Sequence, residues 1–564
     1  MEESKAPLHN MLLVIVCLLL GLGIAGLRSS HASKQLSLPP QPRGSMVLGN
    51  LSEIMKASMD NLQHPLVQGW AREHGEVIRV RLCPVTEYFL NSDRAVKENM
   101  DRSSAISSER PRWMISNELI CNQLNVLLLH RSDPRQSNQR CVIYLYLTSV
   151  PRADADLPFL HYETAKFLHS ITNNPQAGQD GTQILRLIAR YTYSAFVTQT
   201  FGMDIPRVDD PVIDYIHETG LAQILDARKR FKRDLEWCIV RLHRIKNPNL
   251  AGKYMPDAFL PSVLRAADLG RFTTEEEAAY LPLQLIIGAA DTSQISTWSF
   301  LEAMLQYPDV QHRARSEIEA VVGDRLPEFA DLERIPYIRC VMKEVWRWRP
   351  HVALGHPHVT TKDIVDNRKR IPKGAHLHLN AWVISHDSKR HEYPDRFWPE
   401  RYTDDHTTTM QSVNSSDVTK RDHFAFGAGR RSCPGYHVAK RSHAIAIMRI
   451  LWAFEVVWAP GTRQPVDPLT YLRRSEVPGN ASSRLPVTLR TFDVLQHERL
   501  PLSMPVRTDH NSSLPHCFWT LPTLPESAEF IPDAIQGIVW LIEKMKRGRS
   551  RCQVEWTMNS QPQV

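Results

Sequence analysis

The stretch "FAFGAGRRSCPG", residues 424–435, surrounds a single thiol with three glycines and two arginines. Pro434 follows Cys433 and suits the first position of a helix, so the sequence predicts that the thiol lies at a helix N-terminus. The helix dipole there favours a thiolate, and Arg430 and Arg431 add positive charge. These are the requirements of a thiolate held as a ligand in an apolar site.

Three kinds of site compete for this thiolate. A zinc site needs further ligands, and although His437 lies four residues on, no second Cys/His pair lies nearby. A catalytic nucleophile would need an orienting third group and an oxyanion hole, and arginines beside the sulfur supply neither directly. Haem iron accepts a lone protein thiolate.

A second unusual stretch is "LIIGAADTSQIS", residues 285–296. Asp291 and Thr292 interrupt an apolar helical pattern, next to the small residue Gly288. Buried polar groups need partners, and small residues allow a close approach to the backbone. The pattern indicates a notched helix with a hydroxyl aimed into the notch, or else a helix whose polar edge faces solvent.

A third stretch, "PYIRCVMKEVWRWRP", places Glu344 and Arg347 three residues apart on one helical face. Most such pairs lie on the surface, but tryptophans and valines flank this one and favour burial. Downstream, "YPDRFWPERY" contains Arg401 among prolines and aromatic residues. We expect a buried carboxylate between two guanidiniums, which would fix this segment of the chain.

The stretch around Cys433 resembles the haem-binding signature of the cytochrome P-450 family, and the other stretches follow in the family's order. "GAADTS" resembles the family's oxygen-activating stretch, and the proline-rich segment after residue 36 resembles the hinge that follows a microsomal anchor. The resemblance covers about residues 36 to 495. Within the family, the sequence resembles fungal members that act in secondary metabolism. The matching positions are Phe426, Gly429, Arg431, Cys433 and Gly435 of the signature, Glu344 and Arg347 of the Glu-x-x-Arg pair, and its partner Arg401.

The resemblance implies a mostly α (α+β) fold with long helices, small β-sheets and an N-terminal anchor helix. It implies haem b as cofactor, with Cys433 as the proximal ligand and the metal-binding residue. Asp291 and Thr292 would hold water and deliver protons on the distal side. The propionates would be bound by Arg431, His358 and Arg140, although Gln136 stands where the family commonly has tryptophan.

The resemblance also implies partners. The family's usual electron donor for anchored members is an NADPH-dependent cytochrome reductase, and cations near Cys433 would attract it. Residues 351–355 are expected to line an apolar cavity for a hydrophobic small-molecule substrate. The cations in question are Lys440, Arg441, Arg430 and Arg449.

Composition sets broader limits. The net charge of +7 fits an acidic partner or a membrane surface, and it is too diffuse to argue for nucleic acid. The nine cysteines are odd in number and widely spaced, so they give no disulfide framework. The bulk of the chain is therefore expected in a reducing compartment.

The N-terminal run Met11 to Leu27 holds 17 uncharged residues, the short end of what crosses a bilayer. Positive charge follows it at Arg28 and Lys34, which predicts a single-pass anchor in the endoplasmic reticulum membrane with a cytosolic body. A cleaved signal peptide is the alternative. We expect an anchor and linker at 1–35, a haem-thiolate monooxygenase domain at 36–495, and a C-terminal extension at 496–564. Residues 532–551 of this extension form a membrane-surface helix, or else they belong to a disordered tail or a misassigned exon.

Three functions fit the sequence. The first is a membrane-anchored haem-thiolate monooxygenase. The second is a haem-thiolate isomerase or dehydratase that needs no reductase, against which Asp291 and Thr292 argue because that chemistry needs no proton relay. The third is a haem- or lipid-binding membrane protein with weak turnover. It is suggested by Gln136 and by the region between Phe201 and Asp291, which is short for the family and would carry a trimmed lid over the substrate pocket.

Overall fold

A computed structural model provides the structure of the protein and describes residues 36–59, 62–83, 85–174, 177–210, 212–213, 227–247, 258–459 and 487–491. The expected anchor at 1–35, the extension at 496–564 and part of the expected lid between residues 201 and 291 lie outside the described residues. Within the part that is described, none of the helices combines the length and apolar character needed to cross a membrane.

Helices make up most of the described chain, as the three- and four-residue spacing of apolar residues predicts. The longest is α10, Glu275–Gln306, which contains the notched stretch. Thr274 caps it by accepting a hydrogen bond from the N–H of Glu277, and three glutamates occupy its first turn, where the helix dipole favours negative charge.

The α-helices follow in chain order. They are α1 Leu51–Met59, α2 Gln63–His74, α3 Asp93–Val96, α4 Pro134–Ile143, α5 Val150–Ala155, α6 Leu157–Asn173, α7 Gly181–Phe201, α8 Ala227–Lys246, α9 Phe259–Asp268, α10, α11 Pro308–Val322, α12 Pro336–Trp348, α13 Ala381–Ser385, α14 Thr409–Val413 and α15 Tyr436–Ala453. Short π-helical turns span Lys97–Arg102, Met114–Leu119 and Tyr144–Thr148, and short 3₁₀ turns span Ala177–Gln179, Phe329–Glu333, Pro399–Tyr402, Val418–Lys420 and Gly429–Arg431.

The strands form small sheets, also as expected. The strands are β1 Val77–Leu82, β2 Val85–Leu90, β3 His358–Val359, β4 Ile364–Asp366, β5 Lys369–Ile371, β6 His376–Leu379, β7 Phe454–Trp458 and β8 Val487–Thr491. The stretches "GEVIRVRL", residues 75–82, and "TEYFLN", residues 86–91, alternate in polarity and predict a strand pair. They form the antiparallel hairpin β1–β2, with Val77 opposite Leu90. In the largest sheet the order is β1-β2-β6-β3, and β6 runs parallel to β2. The mostly helical α+β class is therefore confirmed.

Helices α7 and α10 pack antiparallel through the centre of the core. The first half of α7 shares one apolar cluster with the second half of α10, and the second half of α7 shares another cluster with the first half of α10. Helix α15 contributes to the first of these clusters along most of its length. The loop that carries Cys433 leads into α15, so this packing holds the thiol loop and the notched helix in one body.

Candidate active site

The thiol loop is shaped by glycines that take backbone angles rarely open to other residues. Gly427 and Gly429 have φ values of +74° and +63°. A Cβ at Gly429 would collide with the carbonyl oxygen of Met100, so only glycine fits there. The Gly429 N–H donates to Asp101 Oδ1 at 2.9 Å, and this bond connects the thiol loop to the π-helical turn Lys97–Arg102.

Cys433 lies at an accessible position at the end of this loop. Its N–H donates to the Phe426 carbonyl at 2.8 Å, and its Sγ accepts a hydrogen bond from the Gly435 N–H at 3.3 Å. The prediction that Pro434 begins the helix is wrong, because α15 begins at Tyr436 with Gly435 as its N-cap. The sulfur therefore meets one oriented N–H from the turn before the helix.

The charge around the sulfur also differs from the prediction. Although Cys433 is accessible, desolvation by the surrounding protein raises the pKa of its thiol, while the Gly435 N–H and the positive charge of Arg140 act to lower it. Arg430 is exposed, and Arg431 turns away to donate to the carbonyls of Ser108 and Leu129 at 2.9 and 2.6 Å. The cation that acts on the sulfur is thus Arg140, whose Nη2 donates to the Ser432 carbonyl at 3.0 Å.

Arg110, Arg140 and Arg431 form a group of cations that we call the arginine cluster. Burial, together with the charges of Arg431 and Arg140, lowers the pKa of Arg110 to about 9. Burial and the charge of Arg140 lower that of Arg431 to about 10. Among the described residues, none of the three forms an ion pair with a carboxylate, and their hydrogen bonds go to backbone carbonyls.

Arg110 is the member of the cluster that the sequence does not reveal. Its Nη1 donates to the Pro357 carbonyl at 2.7 Å and its Nε to the Leu127 carbonyl at 3.0 Å. It reaches the site from a loop between short elements, where no spacing or periodicity marks it. Pro111 follows it and favours an extended backbone, which is the only local signal.

His358 lies beside the cluster, as the resemblance implies. It is buried, its Nδ1 lies 3.0 Å from the Ser107 carbonyl, and burial with the nearby charge of Arg110 lowers its pKa well below the usual range. The neutral ring donates from Nδ1 to that carbonyl and presents Nε2 as an acceptor. His358 could therefore donate a hydrogen bond to a carboxylate from Nε2 only after that nitrogen had taken up a proton.

Gln136, the departure from the family's tryptophan, is buried on α4. Its Oε1 lies 3.4 Å from Arg131 Nη1, while its Nε2 has no hydrogen-bond partner in the described part of the chain. The amide thus helps to position a further arginine at the edge of the arginine cluster.

These residues fit a haem. A haem carries two carboxylates and an iron that accepts a thiolate. The arginine cluster supplies guanidiniums without carboxylate partners, and the accessible Cys433 supplies the sulfur. A buried cation without a counter-charge is costly, so the cluster is explained by an anionic group that binds there.

The notched helix α10 borders the same region. Gly288 is accessible, and a Cβ placed on it would lie 3.8 Å from Leu127, whose carbonyl binds Arg110. Thr292 Oγ1 donates to its own helix, to the carbonyl of Gly288 at 3.0 Å. Asp291 is half-buried, and its Oδ1 accepts a short hydrogen bond from the buried hydroxyl of Tyr193 on α7.

The carboxylate between two guanidiniums that the sequence predicts is present. Both oxygens of Glu344 accept hydrogen bonds from Arg347, at 2.7 and 2.8 Å, and Arg401 Nε adds a third at 3.1 Å. Glu344 and Arg347 are fully buried. The Trp398 N–H also donates to Glu344, so the group, which we call the glutamate network, fixes the segment before the thiol loop.

The four cations expected to attract an electron donor divide into two kinds. Arg441 is buried and binds Asp154, and buried Arg449 donates to the carbonyls of Pro327 and His161. These two side chains are engaged within the core and do not face a partner. Lys440 is half-buried and Arg430 is exposed, which leaves these two near the protein surface.

The segment expected to line the substrate cavity is half-buried over residues 351–355. The His351 ring contacts the Phe426 ring, with centroids 6.5 Å apart, and Leu354 packs against the apolar cluster of the β1–β2 hairpin. His351 therefore faces the thiol loop, and Leu354 faces the sheet.

Comparison with known proteins identifies the family. The family model described as Cytochrome P450 matches residues 211–476. A cytochrome P450 monooxygenase of Gibberella fujikuroi is 50% identical over 494 residues, which cover 82% of this chain and 90% of that protein. Cytochrome P450 monooxygenase virE of Hypocrea virens is 32% identical over 457 residues, which cover 76% of this chain and 79% of that protein.

A solved structure of a zebra fish cytochrome P450 with progesterone shares the fold. Its TM-score is 0.62 at 19% sequence identity, and the match covers 76% of this chain and 99% of that one. The sequence likeness, the shared fold and the donor set around Cys433 agree with one another. The chain belongs to the cytochrome P450 family of haem-thiolate monooxygenases and is an oxidoreductase.

Proposed function

We propose that this enzyme inserts one oxygen atom from O2 into a hydrophobic small molecule during secondary-metabolite biosynthesis. The likeness to cytochrome P450 monooxygenases of several fungi supports this assignment. The observation that carries it is the accessible Cys433 sulfur beside the arginine cluster, because this donor set suits a haem bound through sulfur. A bound haem supplies the chemistry of oxygen activation, and the protein supplies position and electrostatics.

Cys433 is proposed as the proximal ligand and Arg110, Arg140 and Arg431 as the groups that bind the propionates. The positive charge of Arg140 and the Gly435 N–H both stabilise negative charge on the sulfur. Phe426, Gly429 and Gly435 hold the loop in place, and the glutamate network of Glu344, Arg347 and Arg401 anchors the preceding segment.

Asp291 and Thr292 are proposed to hold and move protons in the distal pocket. Thr292 Oγ1 donates its proton to the Gly288 carbonyl, so its lone pairs can accept a hydrogen bond from a water molecule. Asp291 Oδ1 accepts from Tyr193, which leaves Oδ2 to exchange a proton with that water.

Electrons are proposed to come from an NADPH-dependent cytochrome reductase. Of the cations near Cys433, Arg430 and Lys440 are placed to meet an acidic partner, because Arg441 and Arg449 are engaged in the core. The thiol loop leads directly to Arg430, so a partner at this surface would lie close to the sulfur.

The chain is proposed to be anchored in the endoplasmic reticulum membrane by residues 1–35, with a cytosolic domain at 36–495 and an extension at 496–564. Basic residues after the apolar run support this orientation. The turn between Ser45 and Gly49 also supports contact with a membrane, because Met46 and Val47 are 91% and 76% exposed there.

Incorporation of labelled oxygen tests the proposed reaction. The full-length protein in microsomes, supplied with NADPH and a fungal reductase, is incubated under ¹⁸O₂ with apolar compounds selected because they shift its absorption spectrum. We expect a product that contains one ¹⁸O atom and forms only when NADPH and the reductase are present. Unlabelled products that form without NADPH and reductase would instead indicate an isomerase or dehydratase, and unlabelled products that require both would contradict oxygen insertion.

A further inference from the structure

Tyr193 lies in the interface between α7 and α10 and contacts α10 at Asp291. Its side chain is 1% exposed, and its hydroxyl donates to Asp291 Oδ1. Burial raises the pKa of Tyr193, and the nearby charge of Asp291 raises it further. The phenol therefore stays protonated and acts as a permanent hydrogen-bond donor to the carboxylate.

The position of this donor is fixed by packing. Tyr193 belongs to the apolar cluster that contains Phe196 and Val197 of α7 together with Ile286 and Ala290 of α10. A tyrosine held among packed side chains has little freedom to rotate. Its hydroxyl thus defines a fixed point against which the Asp291 side chain is oriented.

The neighbouring hydroxyl cannot play the same part. Thr292 Oγ1 donates to the carbonyl of Gly288 at 3.0 Å and lies 3.3 Å from that of Ala289, so its proton is directed to its own helix. Asp291 therefore depends on another helix for the hydrogen bond that orients it. Asp291 lies three residues after the accessible Gly288, so the two share one side of α10.

We propose that Tyr193 is a positioning residue that orients the Asp291 carboxylate toward the side of α10 that Gly288 opens. This inference rests on the proposed role of Asp291 in proton delivery. Tyr193 does not touch substrate or cofactor in this account. It acts by holding Oδ1, so that Oδ2 meets the water from which protons are delivered.

Tyr193→Phe tests the inference, and Tyr191→Phe is its matched control. Tyr191 lies on the same helix and is equally buried, but its hydroxyl donates to the Ser442 carbonyl of α15 at 3.2 Å. Both variants lose one buried hydroxyl, so a general effect of that loss appears in both. Asp291→Asn and the double variant Tyr193→Phe/Asp291→Asn complete the set.

The measurements use the haem-loaded enzyme with NADPH, O2 and a fungal reductase, without added substrate. Reduction of O2 to peroxide consumes two electrons and two protons, whereas reduction to two waters consumes four of each. NADPH oxidised per O2 consumed, peroxide released, and the solvent isotope effect on NADPH oxidation report proton delivery. Thermal midpoints of all variants report the Tyr193–Asp291 contact itself.

We expect Asp291→Asn to slow NADPH oxidation about a hundredfold, the low end of the range of positioned acid–base groups, and Tyr193→Phe, which leaves that group present but less well oriented, to slow it about tenfold. The solvent isotope effect should rise in Tyr193→Phe and stay unchanged in Tyr191→Phe. The double variant should be no slower than Asp291→Asn. The losses in thermal midpoint should not add, because Asp291→Asn removes the charge that strengthens the same hydrogen bond that Tyr193→Phe removes.

Two contrary results separate the inference from its premise. If Asp291→Asn slows the reaction while Tyr193→Phe behaves like Tyr191→Phe, the positioning role is wrong and the role of Asp291 stands. If Asp291→Asn leaves the rate and isotope effect unchanged, proton delivery by Asp291 is wrong and the inference fails with it. Strictly additive midpoint losses would also overturn the inference, since they would show that the contact is absent.

Discussion

The glutamate network and the arginine cluster both bury guanidinium groups, but they compensate the charge differently. In the glutamate network, Glu344 accepts hydrogen bonds from Arg347 and Arg401, so the charges are matched within the chain. In the arginine cluster, the described residues offer the guanidiniums of Arg110 and Arg431 only backbone carbonyls. The first arrangement is complete as a structural element, whereas the second is completed by an anionic cofactor.

This difference separates a residue's effect on folding from its effect on cofactor binding. Removing the anion from a complete network leaves cations buried without compensation and destabilises the protein. Removing a cation from the arginine cluster relieves repulsion within the chain, so the loss falls on the cofactor. Substitutions in the two regions should therefore change different measured quantities.

The largest effect is expected in the glutamate network. Glu344→Ala should lower the free energy of unfolding by ~3–5 kcal/mol, because Arg347 and Arg401 lose their buried counter-charge. Denaturant unfolding and soluble yield measure this effect. A Glu344→Ala protein of normal stability would show that the network does not stabilise the fold.

Arg140→Met should weaken haem binding with little loss of folded protein. A hydrogen bond to a charged group contributes about 1.5–3 kcal/mol, so the rate of haem transfer to an acceptor globin should rise about tenfold to a hundredfold. Arg140→Lys should recover part of the haem affinity, because lysine supplies the positive charge but not the paired N–H donors of a guanidinium. Arg430→Met, in the exposed part of the thiol loop, is the control, and an equal rise in that variant would remove the distinction between the two regions.

Histidines near the thiol loop, His351 half-buried and His443 buried, extend the comparison to groups that the surrounding protein keeps neutral. Burial lowers the pKa of His351 to about 4 and that of His443 to about 3. A histidine in the unfolded chain takes up a proton near pH 6.5, whereas the folded histidine stays neutral until the pH reaches its lower pKa. Between these two pH values the unfolded state binds more protons, so the free energy of unfolding decreases as the pH falls. Each histidine should cost about 2 kcal/mol at pH 5 relative to pH 7.

Thermal unfolding between pH 5 and 7 measures this dependence. His443→Phe preserves the stacking on Trp346, whose ring centroid lies 5.5 Å away, and should flatten the pH profile. An unchanged slope in His443→Phe would show that this imidazole has the same pKa in the folded and the unfolded protein, against the burial argument.

The smallest effect is expected from an exposed pair. Glu98 and Arg102 lie four residues apart with side chains 34% and 67% exposed. Glu98→Ala should change the free energy of unfolding by less than ~1 kcal/mol, because solvent screens the pair. Denaturant unfolding of Glu98→Ala and Glu344→Ala under the same conditions measures this effect. An equal loss of unfolding free energy in the two variants would mean that burial does not determine how much an ion pair stabilises the protein.

Local spacing explains what the sequence predicts well. The three-residue interval between Glu344 and Arg347 places both on one helical face, and flanking tryptophans indicate burial. The apolar periodicity predicts the long helices, including α10. The glycines around Cys433 allow the backbone to bend around the sulfur, and Gly429 has a positive φ.

Contacts between distant segments explain what the sequence does not predict. Arg110 and Tyr193 reach the site from a loop and from another helix, so nothing within their own segments marks them. Arg431 lies two residues from Cys433 but bonds to carbonyls more than 300 positions away in the chain. The start of α15 at Tyr436 depends on how the loop closes against Asp101, which a local rule for proline does not capture.

The reduced, carbon monoxide-difference spectrum of the purified protein tests most directly whether Cys433 binds haem iron as a thiolate. We expect the wild-type protein to show the red-shifted band of haem-thiolate proteins and Cys433→Ser to lose it, while Arg430→Met keeps it. A wild-type protein that cannot be loaded with haem, or a Cys433→Ser spectrum identical to that of the wild type, would contradict the assignment.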